Sequence, residues 1–196
     1  MTTTGPLVTD LQVPSVTPAE VMEGGFQVID VRSPSEFVDG HMPGALNRPF
    51  LDDSQRALVG TTYVTQGPGA ARLVAMEQVT PGLVAYLTGL ADLARGLSRG
   101  RRLAIMCWRG GERSRNVVLL LALLGVHAVT VAGGYRGYRR ELLAHLRDWR
   151  PQTPVITLYG HTGAGKSALL RALAEIGPGL RGLRPWPLDL EQLALH

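Results

Sequence analysis

The 196-residue sequence is poor in two reactive residue types, since it contains one cysteine, Cys107, and one lysine, Lys166. A single cysteine excludes a disulfide within the chain, so stability must come from an apolar core, which 45% hydrophobic residues can supply. No apolar run reaches the about 18 residues of a membrane span, and no basic segment followed by an apolar one opens the chain. The sequence therefore predicts a soluble, cytoplasmic globular protein.

Basic charge is concentrated in one part of the chain. Between Arg95 and Arg150 there are twelve arginines against three acidic residues, although the formal net charge of the whole chain is only +4. Neutralisation of phosphates, with release of counterions, is the main sequence-independent source of nucleic-acid affinity. The basic block predicts a polyanionic partner; composition alone is equally consistent with a solvated arginine-rich surface.

Short apolar segments alternate with helical ones, which predicts an α/β fold with parallel strands. Predicted strands cover residues 26–31, 44–48, 102–106 and 127–131. Predicted helices begin at Thr17, Ser33, Glu112 and Gly134. The stretch 53–98 is also predicted to be helical, with interruptions at Gly60, at residues 67–69 and at Pro81. These elements define a first domain of residues 1–150, with its core in residues 16–147.

Two prolines in residues 150–154 predict a linker to a second unit, residues 151–196. This unit has a predicted strand at 155–159, a helix at 165–176 and a second strand at 186–190. The 43 residues from Pro154 to His196 can form only the beginning of an α/β domain, because each parallel crossover needs a dozen or more residues. We therefore expect an incomplete second domain.

Cys107 directly follows a predicted strand and precedes a helix. A thiolate placed there faces backbone N–H groups and the positive end of the helix dipole, with Arg109 and Arg113 as further cations. Gly110 and Gly111 permit the backbone angles of an N–H nest that can hold an anion. The sequence predicts Cys107 as the catalytic nucleophile, in an anion-binding or substrate-binding loop formed by Trp108, Arg109, Gly110, Gly111, Glu112 and Arg113.

Two chemistries are consistent with this loop: sulfur transfer through a persulfide and phosphate-ester hydrolysis through a phosphocysteine. The spacing from Cys107 to Arg113 and Ser114 matches the protein-tyrosine-phosphatase pattern. In contrast to that pattern, Met106 stands where a histidine would precede the cysteine. The spacing alone leaves both chemistries open.

A second group of motifs resembles the rhodanese family. These motifs are Asp30-Val-Arg32, Glu36-Phe37, Gly40-His41 and Pro43-Gly44-Ala45, and the pair Gly133-Gly134 before Tyr135 resembles the glycines after the last rhodanese strand. The resemblance extends over about residues 16–146 and implies a rhodanese-like parallel sheet. It also implies that Asp30, Arg32 and His41 chiefly order the loops.

The segment from Gly160 to Ser167 matches the phosphate-binding motif GxxxxGK[ST] between a predicted strand and a predicted helix. Backbone N–H groups of Gly160, Gly163 and Gly165 would surround a diphosphate, and the only lysine of the chain would reach its terminal phosphate. The hydroxyl of Ser167 could ligate Mg²⁺. The second unit is therefore predicted to be the start of a P-loop NTPase-like α/β domain.

A rhodanese-like domain followed by a P-loop resembles the bacterial tRNA 2-selenouridine synthases, as do Gly133-Gly-Tyr-Arg-Gly-Tyr138 and Asp189-Leu-Glu191. Members replace the sulfur of wobble 2-thiouridine by selenium from selenophosphate through an S-geranyl intermediate. The resemblance implies Cys107 as chalcogen carrier and selenophosphate and geranyl diphosphate as co-substrates, with no tightly bound cofactor. It implies the anticodon region of tRNA as partner, where a splayed base could stack on Trp108, Tyr135 or Tyr138.

An enzyme that supplies selenophosphate is a further candidate partner of such a protein. The alternatives are a stand-alone sulfurtransferase, a cysteine phosphatase, and an RNA-binding or nucleotide-binding module without catalysis.

Overall fold

The computed structural model describes residues 12–150, 152, 154–175 and 187–189. The chain divides into two compact units, Met1–Trp149 and Arg150–His196. Among the described residues, no helix has both the length and the apolar character needed to cross a membrane.

The first unit is built on a five-stranded parallel sheet with strand order β1-β5-β4-β2-β3. The strands are β1 (Ser15–Val16), β2 (Phe26–Asp30), β3 (Leu46–Asn47), β4 (Arg102–Met106) and β5 (Ala128–Val131). The prediction of a parallel α/β fold is confirmed. The third strand is shorter than the predicted 44–48, and the two-residue β1 was not predicted because so short an edge strand has no periodicity of its own.

The helices of the first unit are α1 (Pro18–Glu23), α2 (Pro34–Val38), α3 (Asp53–Val79), α4 (Leu83–Gly96), α5 (Glu112–Leu123) and α6 (Gly134–Asp148). Capping boxes at Thr17, Ser33 and Asp52 begin the first three of them. The predicted interruption at Gly60 is wrong, since α3 continues through it. The predicted interruptions at residues 67–69 and Pro81 are confirmed by a kink at Gly67 (φ 86°) and a 3-10 turn at Thr80–Gly82.

Both faces of the sheet are covered, which explains why its central strands are continuously apolar. On one face, Ile29 and Ile105 pack with Val117 and Leu121 of α5 and with residues of α4. On the other face, Val28, Ala104 and Val129 pack with Tyr138 of α6 and with Val21 of α1. All of these side chains are buried, so the sheet is a rigid base for the loops at its carboxyl edge.

The second unit contains α7 (Lys166–Glu175), which confirms the predicted helix. The predicted strand at 155–159 is wrong, because these residues have no strand hydrogen bonds and Ile156 and Tyr159 are 86% and 99% exposed. Residues 187–189 are not in a strand either, and Trp186 and Leu190 lie outside the described residues. A parallel strand forms only with a neighbour that pairs its backbone groups, and no such neighbour exists in the described part of this unit.

Candidate functional site: the cysteine loop

The candidate site lies at the carboxyl edge of the sheet. Asp30 and Met106 are paired where β2 and β4 end side by side, and Cys107 is the next residue after Met106. The carboxyl ends of parallel strands, followed by helix N-termini, are the common position of binding sites in α/β proteins. The sheet therefore brings together the Asp30-Val-Arg32 motif and the cysteine loop, which are more than 70 residues apart in the chain.

The sulfur of Cys107 is buried and faces a hydroxyl. Cys107 is 3% exposed, and its Sγ lies 3.3 Å from the Oγ of the buried Ser114. The same hydroxyl donates to the carbonyl of Gly111 at 3.1 Å. Because a serine hydroxyl has one proton, Ser114 can donate to Gly111 while the thiol is protonated and turn toward the sulfur when the thiol ionises. Ser114 thus offers a local hydrogen bond to a thiolate.

The backbone of the cysteine loop is held by the start of α6. The N–H of Tyr135 donates to the Cys107 carbonyl at 2.9 Å, and the N–H of Arg136 donates to the Trp108 carbonyl at 3.0 Å. This approach leaves no space for a side chain at Gly134 (φ 57°), where a Cβ would clash with the Cys107 carbonyl oxygen. At Gly110 (φ 69°), a Cβ would lie 2.7 Å from the carbonyl oxygen of Val131. The two glycines therefore allow the cysteine loop to pack on the next strand and helix.

The buried ion pair of Arg32 and Asp30 supports the cysteine loop. Arg32, 1% exposed, donates from Nη2 to Asp30 Oδ2 at 2.7 Å and to the Gly40 carbonyl at 2.7 Å. Its guanidinium lies 4.1 Å from the ring centroid of Tyr135. Two buried charges are tolerated only when they are paired and hydrogen-bonded, and here both conditions are met. The geometry agrees with the expected loop-ordering role of Asp30 and Arg32.

The arginine of the Cys-x5-Arg spacing is engaged in an ion pair. Arg113 Nη1 donates to Glu36 Oε2 at 2.8 Å, and Glu36 also accepts from the N–H of Ser33. Burial works against ionisation of Glu36, but the Arg113 guanidinium, the Ser33 N–H and the charge of Arg56 outweigh it and lower the pKa of Glu36. Burial disfavours the charged form of Arg113, but Glu36, the Cys107 thiolate and Asp30 raise its pKa. The cation on which the phosphatase interpretation depends is thus neutralised by a carboxylate.

A cavity of about 350 Å³ opens above the cysteine. Its lining combines the cysteine loop with residues of α3: Tyr63, Pro68, Arg72, Cys107, Trp108, Arg109, Gly111, Glu112 and Arg113. Arg72 is paired with Glu112, with Nε 3.1 Å from Oε1. Arg109 is exposed and makes no hydrogen bond or ion pair with the described residues. Within that part of the chain, the cavity therefore offers an anion one unneutralised guanidinium next to a thiol.

The contribution of α3 to this cavity was not predicted from the sequence. Its kink at Gly67 places Tyr63, Pro68 and Arg72 at the wall opposite the cysteine loop. The break at residues 67–69 was visible as a Gly-Pro-Gly signal, but nothing in the spacing showed what the break would face. The pairing of Arg72 with Glu112, 40 residues away, is likewise a tertiary contact.

The aromatic residues predicted to stack on a base differ in how exposed they are. Trp108, 37% exposed, lies beside Tyr135 with ring centroids 5.8 Å apart, whereas Tyr138 is buried in the core. Burial makes Tyr138 unavailable for stacking on a base, so that prediction is wrong for Tyr138.

His41 stacks on Phe37, and its Nδ1 lies 3.0 Å from the Phe37 carbonyl. These contacts tie His41 to α2, in agreement with its expected loop-ordering role.

The predicted phosphate loop precedes α7 in the second unit. Lys166 is the first residue of the helix, and its Nζ donates to the carbonyls of Gly160 and His161 at 2.9 and 2.8 Å. Gly163 and Gly165 have positive φ angles of 82° and 81°. No residue of α7 is buried. The lysine thus spans its own loop through local contacts.

For the predicted Mg²⁺ at Ser167, the described residues supply few ligands. No group of three or more His, Cys, Asp and Glu side chains suited to a metal ion occurs among the described residues. Mg²⁺ commonly takes one or two protein ligands and completes its shell with phosphate oxygens and water. A Ser167 hydroxyl at the start of α7 fits that limited role, so the ion would bind only together with a diphosphate.

Fold and site together define a class: a parallel α/β domain with a cysteine in the loop that follows its central strand. The family profile described as "Rhodanese-like domain" matches residues 17–141. The chain belongs to the rhodanese-like family.

Curated relatives extend the similarity beyond this domain. The chain is similar to the tRNA 2-selenouridine synthase of Nitrosomonas europaea, with 34% identity over 169 residues that cover 86% of this chain and 41% of the relative. The protein of the same name from Bdellovibrio bacteriovorus is 36% identical over 169 residues, covering 86% of this chain and 42% of the relative. The chain thus spans about two fifths of the length of the curated relatives it matches.

Among solved structures, the chain is similar to the N-terminal domain of a putative ATP/GTP binding protein from Clostridium difficile 630. The two are 30% identical with a TM-score of 0.61, and the match covers 66% of this chain and 98% of that one.

Proposed function

We propose that this chain carries the rhodanese-like part of a tRNA 2-selenouridine synthase and that Cys107 is its nucleophile. The observation that carries the proposal is the sulfur of the only cysteine, at the wall of a cavity that also holds Arg109, a cation without a partner among the described residues. The curated relatives named above support the assignment to tRNA selenation. The transferase activity follows from this assignment as part of the same proposal.

The cavity chemistry is consistent with an anionic selenium donor. Selenophosphate is a small anion, and Arg109 is the cation of the cysteine loop that no described residue neutralises. Arg113 and Arg72 are neutralised by Glu36 and Glu112, so they shape the cavity without adding net charge. The donor would therefore bind through Arg109 and through backbone N–H groups of the loop.

The proposed exchange balances without oxidation or reduction. The bond from C2 of the S-geranylated base to sulfur breaks, a C2–Se bond forms, and geranylthiol leaves with a proton. Water takes the phosphoryl group of selenophosphate and releases inorganic phosphate. Selenium enters and stays at the oxidation state of a selenide, so a Cys107 selenosulfide would require an added oxidant. The Cys107 thiolate instead displaces geranylthiol from C2 and is then displaced by selenium.

The remaining co-substrate is assigned to the second unit. The segment from Gly160 to Ser167 would hold the diphosphate of geranyl diphosphate through Lys166 and the loop N–H groups, together with Mg²⁺ at Ser167. The anticodon region of tRNA is the macromolecular substrate in this proposal, an enzyme that makes selenophosphate is the donor's source, and the cytoplasm is the location.

A tRNA that is already geranylated tests the first unit without the step assigned to the second. The chain is incubated with selenophosphate and tRNA that already bears S-geranyl-2-thiouridine, and 2-selenouridine is measured by nucleoside mass spectrometry. We expect product with the wild-type chain and with Lys166→Ala, and a loss of at least about a thousandfold with Cys107→Ser, because a hydroxyl is a far weaker nucleophile than a thiolate.

Starting from 2-thiouridine and geranyl diphosphate, Lys166→Ala should also lose the product. Product formation by Cys107→Ser at the wild-type rate would disprove the role of the cysteine. Absence of 2-selenouridine with the wild-type chain on the geranylated tRNA would disprove the assignment.

A stand-alone sulfurtransferase is the second candidate, favoured by the location of the whole cysteine site within Met1–Trp149. Its step is also balanced: the thiolate attacks the outer sulfur of thiosulfate, a persulfide forms on Cys107 and sulfite leaves. Sulfite release by wild type and Lys166→Ala, without any selenouridine product, would favour this function over the first.

A further inference from the structure

A second cavity, of about 420 Å³, runs along α6 next to the cysteine loop. Four arginines of this helix line it together with Leu143, Ala144 and Trp108: they are Arg136, Arg139, Arg140 and Arg147. We call it the α6 groove. No acidic residue of the described part of the chain is among its lining residues, so the lining itself supplies no counter-charge to Arg136, Arg139 or Arg140.

The face of α6 that forms the groove is the one turned away from the core. Gly134, Gly137 and Tyr138 are buried against the sheet and α1, which leaves the arginines at helical spacing on the opposite face. Arg136 and Arg140 are four residues apart and Arg139 lies between them, so their guanidinium groups reach the same strip of surface. Arginine in this arrangement is well suited to phosphate oxygens, because its planar group donates in pairs.

Trp108 connects the α6 groove with the cysteine cavity, since it lines both. Its ring is 37% exposed and packs on one side against Tyr135, which in turn lies against the buried Arg32. The indole is therefore fixed in position while part of its surface is open. A fixed, partly exposed aromatic ring beside cationic side chains is the combination on which single-stranded nucleic acids stack their bases.

We propose that the α6 groove binds a single-stranded RNA segment. The phosphates lie on Arg136, Arg139 and Arg140, and one base stacks on Trp108 at the entrance to the Cys107 cavity. This inference rests on the proposed function, because the RNA is the substrate of that reaction. It adds the surface that holds the substrate and the side chain that directs one base toward the sulfur.

Binding is measured by fluorescence anisotropy with a labelled single-stranded RNA that spans an anticodon loop, at several salt concentrations. Arg139→Ala/Arg140→Ala should weaken binding at least about tenfold and reduce the slope of log K against log salt by about 1 to 2. The matched control is Arg95→Ala/Arg99→Ala. It removes the same charge from exposed positions at the end of α4 and in the turn before β4, at the amino edge of the sheet, and should bind like wild type.

The position of Trp108 is tested through the thiol. Because Cys107 is the only cysteine, alkylation by iodoacetamide reports on this residue alone. We expect RNA to slow alkylation in wild type and in the Arg95/Arg99 control, and to protect far less in Arg139→Ala/Arg140→Ala. Trp108→Ala should weaken binding about 5- to 100-fold, and Trp108→Phe should restore most of the affinity because it keeps a stacking surface.

Unchanged affinity and salt slope in Arg139→Ala/Arg140→Ala would overturn the groove assignment, and so would a wild-type chain that binds no RNA. If an RNA duplex or poly-glutamate competed with the labelled RNA as strongly as unlabelled single-stranded RNA does, the assignment of single-stranded RNA as the ligand would be overturned. If groove-dependent binding occurs without selenium exchange, the groove stands and the proposed chemistry fails. If exchange continues at the wild-type rate in the groove variant, the chemistry stands and the groove fails.

Discussion

The chain contains two loops that each lie between an extended segment and a helix, yet they are held in different ways. The cysteine loop, residues 107–113, is bound by α6 through the N–H groups of Tyr135 and Arg136 and by Glu36 through Arg113. The phosphate loop, residues 160–167, is bound by its own lysine, whose Nζ donates to carbonyls five and six residues away. One loop is shaped by tertiary structure and the other by contacts within itself.

This difference has a physical consequence for how each loop would bind an anion. The groups that support Cys107 are already paired, so the cavity and the exposed Arg109 are in place before a ligand arrives. If the phosphate loop binds a phosphate as predicted, Lys166 would instead exchange its two backbone acceptors for the phosphate. We therefore expect substitution of the residues that support the cysteine loop to lower folding stability. Substitution in the predicted phosphate loop should weaken ligand binding alone.

The largest effect should come from the buried pair under the cysteine loop. Asp30→Asn leaves Arg32 buried without a counter-charge, which should lower the free energy of unfolding by about 3–5 kcal/mol. Urea denaturation measures this loss of unfolding free energy. Asp92→Asn, which breaks the exposed pair with Arg95, serves as control and should cost less than about 1 kcal/mol. Equal costs in the two variants would show that the cysteine loop has no special support.

The close approach of α6 should give the next largest effect. Gly134→Ala places a methyl group against the Cys107 carbonyl at a positive φ angle, and we expect a loss of more than about 2 kcal/mol in urea denaturation. Gly60→Ala is the matched control. It lies in α3 with open space around it, so it should stabilise the protein by about 0.5–1 kcal/mol. A neutral Gly134→Ala would contradict the packing described above.

The pair of Glu36 and Arg113 should contribute less and in a pH-dependent manner. Because Glu36 is partly exposed, Glu36→Gln should cost about 1 kcal/mol at about pH 7. The pKa of Glu36 is lowered by folding, so its contribution is complete above the unfolded value of 4.5 and is lost as pH falls through the lower folded value. The gap in urea midpoint between wild type and Glu36→Gln should therefore close below that pH. A difference in urea midpoint that widens on acidification would contradict the lowered pKa of Glu36.

The smallest effect on stability is expected in the phosphate loop. Lys166→Ala removes contacts made within one exposed loop, so the free energy of unfolding should change by less than about 0.5 kcal/mol. Binding of inorganic pyrophosphate with Mg²⁺, followed by broadening of its ³¹P signal, should be lost in the same variant. The control Arg171→Ala, one turn further along α7, should retain pyrophosphate binding. A large stability loss in Lys166→Ala would remove the contrast between the two loops.

Much of the first unit could be predicted because its signals are local. The capping box at Thr17, the strand at residues 102–106 and the helix from Glu112 follow from neighbouring residues, and the structure confirms them. The strand predicted at 155–159 shows where such signals end. An apolar, β-branched segment becomes a strand only beside a pairing partner, and the segment itself does not specify one.

The sequence by itself determined the order of the helices and strands of the first unit apart from β1, the position of Cys107 between a strand and a helix, and the location of a glycine-rich segment before α7. These are consequences of short-range periodicity and backbone preference. Tertiary structure alone decided that Glu36 neutralises Arg113 from 77 residues away, that the kink of α3 forms a wall of the cavity and that Trp108 lines both this cavity and the α6 groove. Side chains far apart in sequence meet only after the sheet has aligned its strand ends, so no local pattern can encode their charges as neutralised or free.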